Sequence, residues 1–175
     1  MIFSFFKRRN RIAAIDPLYG AMMAAALDPV LYARLGVPDT FEGRFEAVTL
    51  ISGMVLRRLK GLPPPADAVA QDLVDRTFDG FDSAMREVGI SDVGVPKRMK
   101  KFAKGYYGRL EAYTQAFAGD DAALGEALSK NLLEGRAATP ELVRHVRALE
   151  ATLAAVILDD LIAGRLGPQA TGGEA

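Results

Sequence analysis

The amino-acid sequence predicts an all-α protein, a single helical domain of about seven helices. Helix-start signals in which Asp or Thr precedes Pro occur three times. Apolar residues recur at spacings of three or four over long segments, and no stretch shows the alternation of a convincing strand. The chain has 175 residues, which is enough to bury a core without disulfides or a structural metal.

Two Asp-Pro pairs predict the first two helices. Asp16 is in position to cap a helix that Pro17 opens, and Asp28 and Pro29 repeat the signal for a short helix that Gly36 closes. The signal has a physical basis, because Asp accepts hydrogen bonds from free backbone amides and Pro is tolerated in the first turn.

A long helix of about five turns follows. Asp39 and Glu42 have the spacing of a capping box, with Asp39 in the cap position. The helix is predicted to end at Lys60, because the next residue is Gly61.

The next part of the chain is punctuated by Pro and Gly. Three prolines at 63–65 predict a stiff turn, and helical signals resume over residues 66–78. Beyond Gly80 a further short helix is predicted over 82–88, and the pattern pauses at the sequence GISDVG, residues 89–94.

A second long helix is predicted to start at Val95 and Pro96. Its apolar residues form one stripe at spacings of three or four, namely Val95, Met99, Phe102, Tyr106, Leu110 and Tyr113. Four lysines fall on another face, namely Lys97, Lys100, Lys101 and Lys104. We therefore predict that the stripe is core, that the lysines are exposed, and that Tyr107, which lies off the stripe, is available for contact.

Two further helices complete the predicted domain. Asp120 and Asp121 are predicted to cap the first, which stops at Glu134–Gly135. Thr139 and Pro140 open the last helix, which is expected to end near Gly164.

The N-terminus is an apolar and basic segment. No apolar run in the chain approaches the ~20 residues of a membrane-spanning helix, and the apolar residues of this segment precede its basic ones, the reverse of a secretory signal. We expect residues 1–12 to contact the membrane, 13–165 to form the helical domain and 166–175 to be a disordered tail. A loose end or packing on the domain is the alternative for residues 1–12. The candidate membrane contacts are Phe3, Phe5, Phe6, Lys7, Arg8, Arg9 and Arg11.

The composition does not favour an enzyme. The chain has no cysteine and one histidine, which excludes thiolate chemistry and nearly excludes the usual zinc sites. His145 lies on a charged helix, where a surface or capping role is more common than catalysis. The acidic residues at 72, 75, 79 and 82 lack the spacing of a calcium loop and predict a solvated face. We expect no catalytic residue, cofactor or metal.

The densest charge cluster lies at the start of the second long helix. Five of the eight residues from Lys97 to Lys104 are basic, although the chain carries 22 basic and 22 acidic residues. Such a group creates a local field even on a neutral protein. A solvated face, an anionic lipid surface, RNA or the ribosome, and an acidic protein partner are all compatible with it.

Four segments follow one another in a characteristic order: GVPDTFEGRFE (36–46), VLRRLKG (55–61), REVGISDVGVPKRMKKFAKGYYGRLEAY (86–113) and ALSKNLLEG (127–135). They resemble the ubiquinol-cytochrome c chaperone family, alphaproteobacterial and mitochondrial proteins linked to assembly of the cytochrome bc complex. The likeness runs from about Leu18 to Gly135. It implies an all-helical assembly factor that holds newly made cytochrome b before this subunit joins ubiquinol-cytochrome c reductase.

The resemblance and the basic cluster together identify the candidate partner-binding residues. For Arg86, Glu87 and Asp92, bracing of the GISDVG loop is the alternative role, and Asp39 is interpreted as a helix cap. The candidates are Arg44, Arg86, Glu87, Asp92, Lys97, Arg98, Lys100, Lys101, Lys104, Tyr107 and Arg109.

The expected function is therefore that of a non-enzymatic chaperone with cytochrome b as its client. A peripheral lipid-binding or lipid-handling module is the second expectation. A ribosome- or RNA-associated factor is the third, since dedicated nucleic-acid domains are usually basic overall, and DNA binding is not expected. Mitochondrial members of the family carry a targeting presequence that this chain does not show, so we expect a bacterial version at the inner face of the cytoplasmic membrane.

Overall fold

The structure, a computed structural model, describes residues 2–87, 89 and 94–167, with side chains from residue 14 onward except that of Lys97. Within these residues the chain forms eight helices and no strand, which confirms the predicted all-α class. The helices are α1 (Ile2–Ala26), α2 (Pro29–Ala33), α3 (Phe41–Lys60), α4 (Ala66–Glu87), α5 (Val95–Ala118), α6 (Asp121–Asn131), α7 (Pro140–Ala154) and α8 (Leu158–Ile162).

Helix α3 lies at the centre of the domain and packs against α1, α4, α5 and α7. Eleven of its residues are buried, and Leu50, Val55 and Leu59 are almost completely removed from solvent. Burying an aliphatic side chain of this size contributes roughly 1.5 to 3 kcal/mol before entropy is subtracted. The helices around α3 form one continuous core with it.

The predicted stripe on α5 is confirmed. Val95, Tyr106 and Tyr113 are buried, and Met99, Phe102 and Leu110 pack against the core. Several predicted caps are confirmed as well: Asp28, Asp120 and Thr139 accept hydrogen bonds from the amides of Val30, Ala123 and Leu142 at 2.9, 2.9 and 3.2 Å.

The predicted start of a helix at Asp16 and Pro17 is wrong, because α1 runs from Ile2 to Ala26 with Pro17 inside it. Pro inside a helix removes one backbone hydrogen bond and crowds the preceding turn, which is why the sequence pattern assigned Pro17 to a helix start, yet α1 contains it. Asp16 instead accepts a hydrogen bond from Arg76 Nε on α4 at 2.8 Å.

The predicted break at Gly80 is also wrong, because α4 continues from Ala66 to Glu87. Gly in a helix interior normally weakens it. Here Tyr19 of α1 lies over Gly80, and a Cβ at this position would collide with the Tyr19 hydroxyl. Gly80 therefore allows close contact between α1 and α4.

Other helix boundaries also differ from the prediction; α6, for example, ends at Asn131 rather than at Glu134–Gly135. The N-cap of α3 is Thr40, whose Oγ1 accepts a hydrogen bond from the Gly43 amide at 3.0 Å, so the assignment of Asp39 as the cap is wrong. The last predicted helix is divided into α7 and α8. Arg58 Nε of α3 donates to the Val156 carbonyl in the connecting turn at 2.7 Å, so a tertiary hydrogen bond occupies this carbonyl where the helix is interrupted.

Candidate partner-binding surfaces

An apolar groove opens between α1, the start of α3 and the end of α4, with a volume of ≈ 350 Å³. We call it the α1/α4 groove. Among the described residues that line it, two are charged, Arg44 and Glu87. Its apolar lining includes Tyr19, Met23, Leu27, Phe41, Phe81 and Ala84.

Aromatic side chains support the groove from below. The Phe45 ring lies 4.9 Å from that of Phe81 and 4.4 Å from that of Phe102, measured between centroids. Phe102 also meets Phe41 edge to face at 5.9 Å. Rings packed in this way have few alternative rotamers, so they form a firm floor made from α3, α4 and α5.

One wall of the groove is held by Tyr19. The Arg76 guanidinium lies 4.1 Å from the centroid of the Tyr19 ring, and Gly80 leaves space for the Tyr19 hydroxyl. Burial raises the pKa of Tyr19 above 10.0, the nearby Arg76 lowers it less, and Asp16 raises it further. Tyr19 is therefore a neutral, fixed wall residue.

The two charged residues lie at different edges of the groove. Arg44 is exposed and its Nε donates to Asp39 Oδ1 at 2.8 Å, while Glu87 is exposed at the last residue of α4. Arg44 and Leu27 also line a neighbouring cleft with Pro29 and Tyr32, whose volume is ≈ 470 Å³. Arg44 therefore stands between two adjoining openings.

A second surface lies on the outer side of α5. We call it the cationic face, and it consists of Arg98, Lys100, Lys101 and Lys104, all of them exposed. Tyr107 continues this side of the helix and is 54% exposed. Its ring lies 6.1 Å from that of Phe78 on α4.

Two other candidates form contacts within the domain. Arg109 is half-buried, donates to the Glu46 carboxylate, and lies 6.0 Å from the Phe45 ring centroid. Arg86 Nε donates to Asp82 Oδ2 one turn earlier at 2.7 Å. These contacts brace α5 against α3 and support the end of α4.

The structure thus brings Arg44 and Glu87 to one groove and places the basic residues of α5 on another side. The apolar lining residues Tyr19, Met23, Leu27 and Ala84 were missed, because the sequence pattern marks apolar residues of helices as core without showing which remain partly open. Some candidates lie outside the described residues or have undescribed side chains: Asp92, Lys97, Phe3, Phe5, Phe6, Lys7, Arg8, Arg9 and Arg11.

The described residues contain no cluster of three or more His, Cys, Asp or Glu side chains suited to a metal ion. Within the same residues, no helix is long and apolar enough to span a bilayer. The described residues thus offer two separate candidate contact surfaces, the apolar α1/α4 groove and the cationic face.

The sequence pattern of the family described as ubiquinol-cytochrome C chaperone matches residues 33–169. The chain belongs to the ubiquinol-cytochrome c chaperone family.

Two relatives extend this comparison. The chain is 31% identical over 108 residues to Protein CBP3, mitochondrial, of Saccharomyces cerevisiae, a match that covers 60% of this chain and 32% of that protein. The match therefore spans about a third of the length of this curated relative. The crystal structure of the Cbp3 homolog from Brucella abortus is similar with a TM-score of 0.76 and 38% identity, and the match covers 94% of both chains.

Proposed function

We propose that this protein is a non-enzymatic assembly chaperone that binds newly made cytochrome b and supports assembly of the ubiquinol-cytochrome c reductase complex. Its family membership supports the chaperone class. The observation that carries the proposal is the α1/α4 groove, an apolar opening on a domain that contains no metal cluster among its described residues.

An unassembled membrane subunit exposes apolar side chains that need protection from water. The α1/α4 groove suits one face of an apolar helix, since a helix presents side chains at intervals of three and four residues to such openings. Leu27 on its lining is 39% exposed, so apolar surface is available there without unfolding of the domain.

The charged edges of the groove provide orientation rather than most of the affinity. Arg44 at one edge and Glu87 at another favour a client segment whose polar ends carry complementary charges. Exposed charges at a rim contribute modestly to affinity, whereas apolar residues in the centre dominate it. We therefore assign client binding to the lining and client orientation to Arg44 and Glu87.

We place this activity at the inner face of the cytoplasmic membrane, where the client is made. The apolar and basic sequence of residues 1–12 supports peripheral attachment there. A lipid-handling role is the second candidate, because the same apolar lining also suits an acyl chain.

The decisive experiment compares two exposed apolar residues. Leu27→Asp puts a charge in the groove, and Ile157→Asp puts the same charge on a remote residue that is 56% exposed. We expect Leu27→Asp to reduce co-purification of cytochrome b at least tenfold, the size of a typical hot-spot loss, and Ile157→Asp to behave as wild type. Equal recovery with both variants would exclude the groove as the client site, and lipid co-purified with the wild-type chain in place of cytochrome b would favour the second candidate.

Deletion of the gene tests the wider role. We expect the cytochrome bc complex to be depleted while the transcripts of its subunits persist. A normal amount of the complex in the deletion strain would contradict the proposal.

A further inference from the structure

The cationic face of α5 differs from the other charged surfaces of the domain. In the described part of the chain, no ion pair includes Arg98, Lys100, Lys101 or Lys104. Many other cations form ion pairs with carboxylates of the same domain, as in Arg34–Glu141 at 3.1 Å, Arg76–Asp16 at 2.8 Å and Arg147–Asp121 at 3.1 Å. The charge of this face is therefore directed to the exterior.

Part of this charge opposes the stability of the helix that carries it, because Arg98 lies in the first turn of α5. The N-terminal end of a helix has a partial positive charge, so acidic residues are favoured there and basic ones are not. α5 has no acidic residue in its first turn, and Gly94 supplies no side-chain cap. The first acidic residue of α5 is Glu111. Neither ion pairs within the described part of the domain nor the helix dipole accounts for the cluster.

The cationic face is short and open. Arg98 and Lys104 are six residues apart, which is roughly 9 Å along a helix. Gly108 follows on the same side, and no heavy atom lies within 4 Å of the position of a Cβ there. Together with exposed Tyr107, a side chain that suits membrane interfaces, this region combines dense positive charge with an amphipathic aromatic residue.

The groove and the cationic face are connected through Phe102. This residue lies between Lys101 and Lys104 in sequence, and its ring contacts the rings of Phe41, Phe45 and Phe81 at the groove. A surface bound to the outside of α5 would therefore lie one helix diameter, roughly 10 Å, from the groove floor.

We propose that the cationic face binds the headgroups of anionic phospholipids and holds the domain on the membrane beside its client. The proposal rests on the proposed function in one respect, the presence of a membrane-embedded client. Charge complementarity requires an anionic partner, and a flat bilayer needs contact with one side of the domain only.

The alternatives fit these observations less well. A nucleic acid strand that wraps the domain would meet the acidic side of α4, which packs against α5 and carries Asp75, Asp79 and Asp82. The chain as a whole is neutral, unlike most dedicated RNA-binding domains. The cytoplasmic loops of a membrane client are themselves enriched in Lys and Arg, so they would be repelled by this face.

The test uses the full chain with two matched sets of substitutions. The first, which we call the α5 set, replaces Lys100, Lys101 and Lys104 by Gln. The control replaces Lys60, Lys130 and Arg144 by Gln, three exposed cations on α3, α6 and α7 without a described ion pair. Both sets change the net charge equally and leave residues 1–12 intact, so a difference between them reports the position of the charge.

Binding is measured to vesicles that contain phosphatidylglycerol and to vesicles of phosphatidylcholine alone. A single basic residue near an anionic surface strengthens binding about fivefold, so we expect the α5 set to lower affinity for anionic vesicles on the order of 100-fold and the control set to lower it far less. Equal losses with the two sets, unchanged binding with the α5 set, or tighter binding of the wild-type chain to an RNA oligonucleotide than to anionic vesicles would overturn the proposal.

Folding and client binding are controlled separately. Circular dichroism and thermal unfolding are expected to be unchanged in the α5 set. If that triple variant does not fold, the single Lys101→Gln variant should still show a roughly fivefold loss of affinity for anionic vesicles. Capture of cytochrome b in detergent should be retained by the α5 set. Loss of vesicle binding with retained capture supports this inference, whereas failure of the wild-type chain to capture cytochrome b would overturn the proposed function without affecting the vesicle result.

Discussion

At the scale of single residues, two buried tyrosines on α5 differ in whether the hydroxyl has a partner. The Tyr106 hydroxyl hydrogen-bonds with Ser52 of α3, and burial raises the pKa of Tyr106 to about 12 despite this bond. The Tyr113 hydroxyl is buried without a hydrogen-bond partner among the described residues. One hydroxyl therefore contributes to the α3–α5 contact, and the other only loses its hydration.

The first prediction is that removing the two hydroxyl groups has different effects on stability. Tyr106→Phe leaves Ser52 without its partner and should lower the free energy of unfolding by about 1 to 2 kcal/mol. Tyr113→Phe should leave it unchanged or raise it, because no bond is lost. Urea unfolding of both variants tests this, and the double variant Ser52→Ala/Tyr106→Phe should recover part of the loss. A greater loss with Tyr113→Phe than with Tyr106→Phe would contradict the assignment.

The buried carboxyl of Glu46 makes the stability of the domain depend on pH. Burial raises the pKa of Glu46 above its ordinary value of 4.5, and the hydrogen bond from Arg109 lowers it less. The fold therefore favours the protonated carboxyl relative to the unfolded chain. The contribution of Glu46 to stability is greatest at pH values below 4.5 and decreases as the pH rises through the raised pKa.

The second prediction follows from the raised pKa of Glu46. Compared with Glu46→Gln, which cannot ionise, the wild-type chain should lose stability as the pH is raised above 4.5 and then reach a plateau. Urea unfolding of both proteins across this pH range gives the difference. A difference that moves in favour of the wild type with rising pH would mean that the ion pair with Arg109 outweighs burial.

At the scale of elements, the start of α3 shows how close contacts define a helix boundary. Thr40 caps the helix, and Gly43 in its first turn lies so close to Pro38 that a Cβ would collide with the Pro38 carbonyl. Asp39 is left free to pair with Arg44. This turn therefore sets the position of Arg44 at the groove.

The third prediction separates the two neighbouring residues. Thr40→Ala removes the cap and should cost about 1 kcal/mol of stability. Asp39→Ala removes a pair whose side chains are both more than half exposed, so its effect on stability should be smaller, typically below about 1 kcal/mol. Thermal unfolding of both variants distinguishes the roles, and a larger loss with Asp39→Ala would restore Asp39 as the cap.

At the scale of the whole molecule, a neutral chain has its charges unevenly distributed. Basic residues concentrate in the N-terminal segment and on α5, whereas the acidic residues 72, 75, 79 and 82 lie on α4. Stable peripheral attachment generally requires two weak membrane signals. We propose that the N-terminal segment and the cationic face supply two such signals.

The fourth prediction concerns the N-terminal segment. Removal of residues 1–11 should largely abolish flotation with anionic liposomes, because the Phe side chains and four of the basic residues are lost together. Binding of the full-length chain should weaken as salt is added, since exposed charges are screened. Equal flotation of the two proteins at low salt, or flotation of neither, would exclude an anchor in this segment.

The sequence by itself determined the features that depend on neighbours within about one helical turn. The all-α class, the caps at Asp28, Asp120 and Thr139, and the buried stripe of α5 all follow from local spacing and backbone chemistry. The exposure of Lys100, Lys101 and Lys104 follows from the same periodicity.

Only the tertiary structure decided the features that depend on residues far apart in the chain. Gly80 lies inside α4, where Tyr19 of α1 packs closely against it, and Arg58 donates a hydrogen bond to the carbonyl of Val156 between α7 and α8. The α1/α4 groove has the same origin, since its lining comes from three helices. Helical periodicity shows which side chains share a face, whereas packing between helices decides which of these faces closes into core and which remains open as a groove.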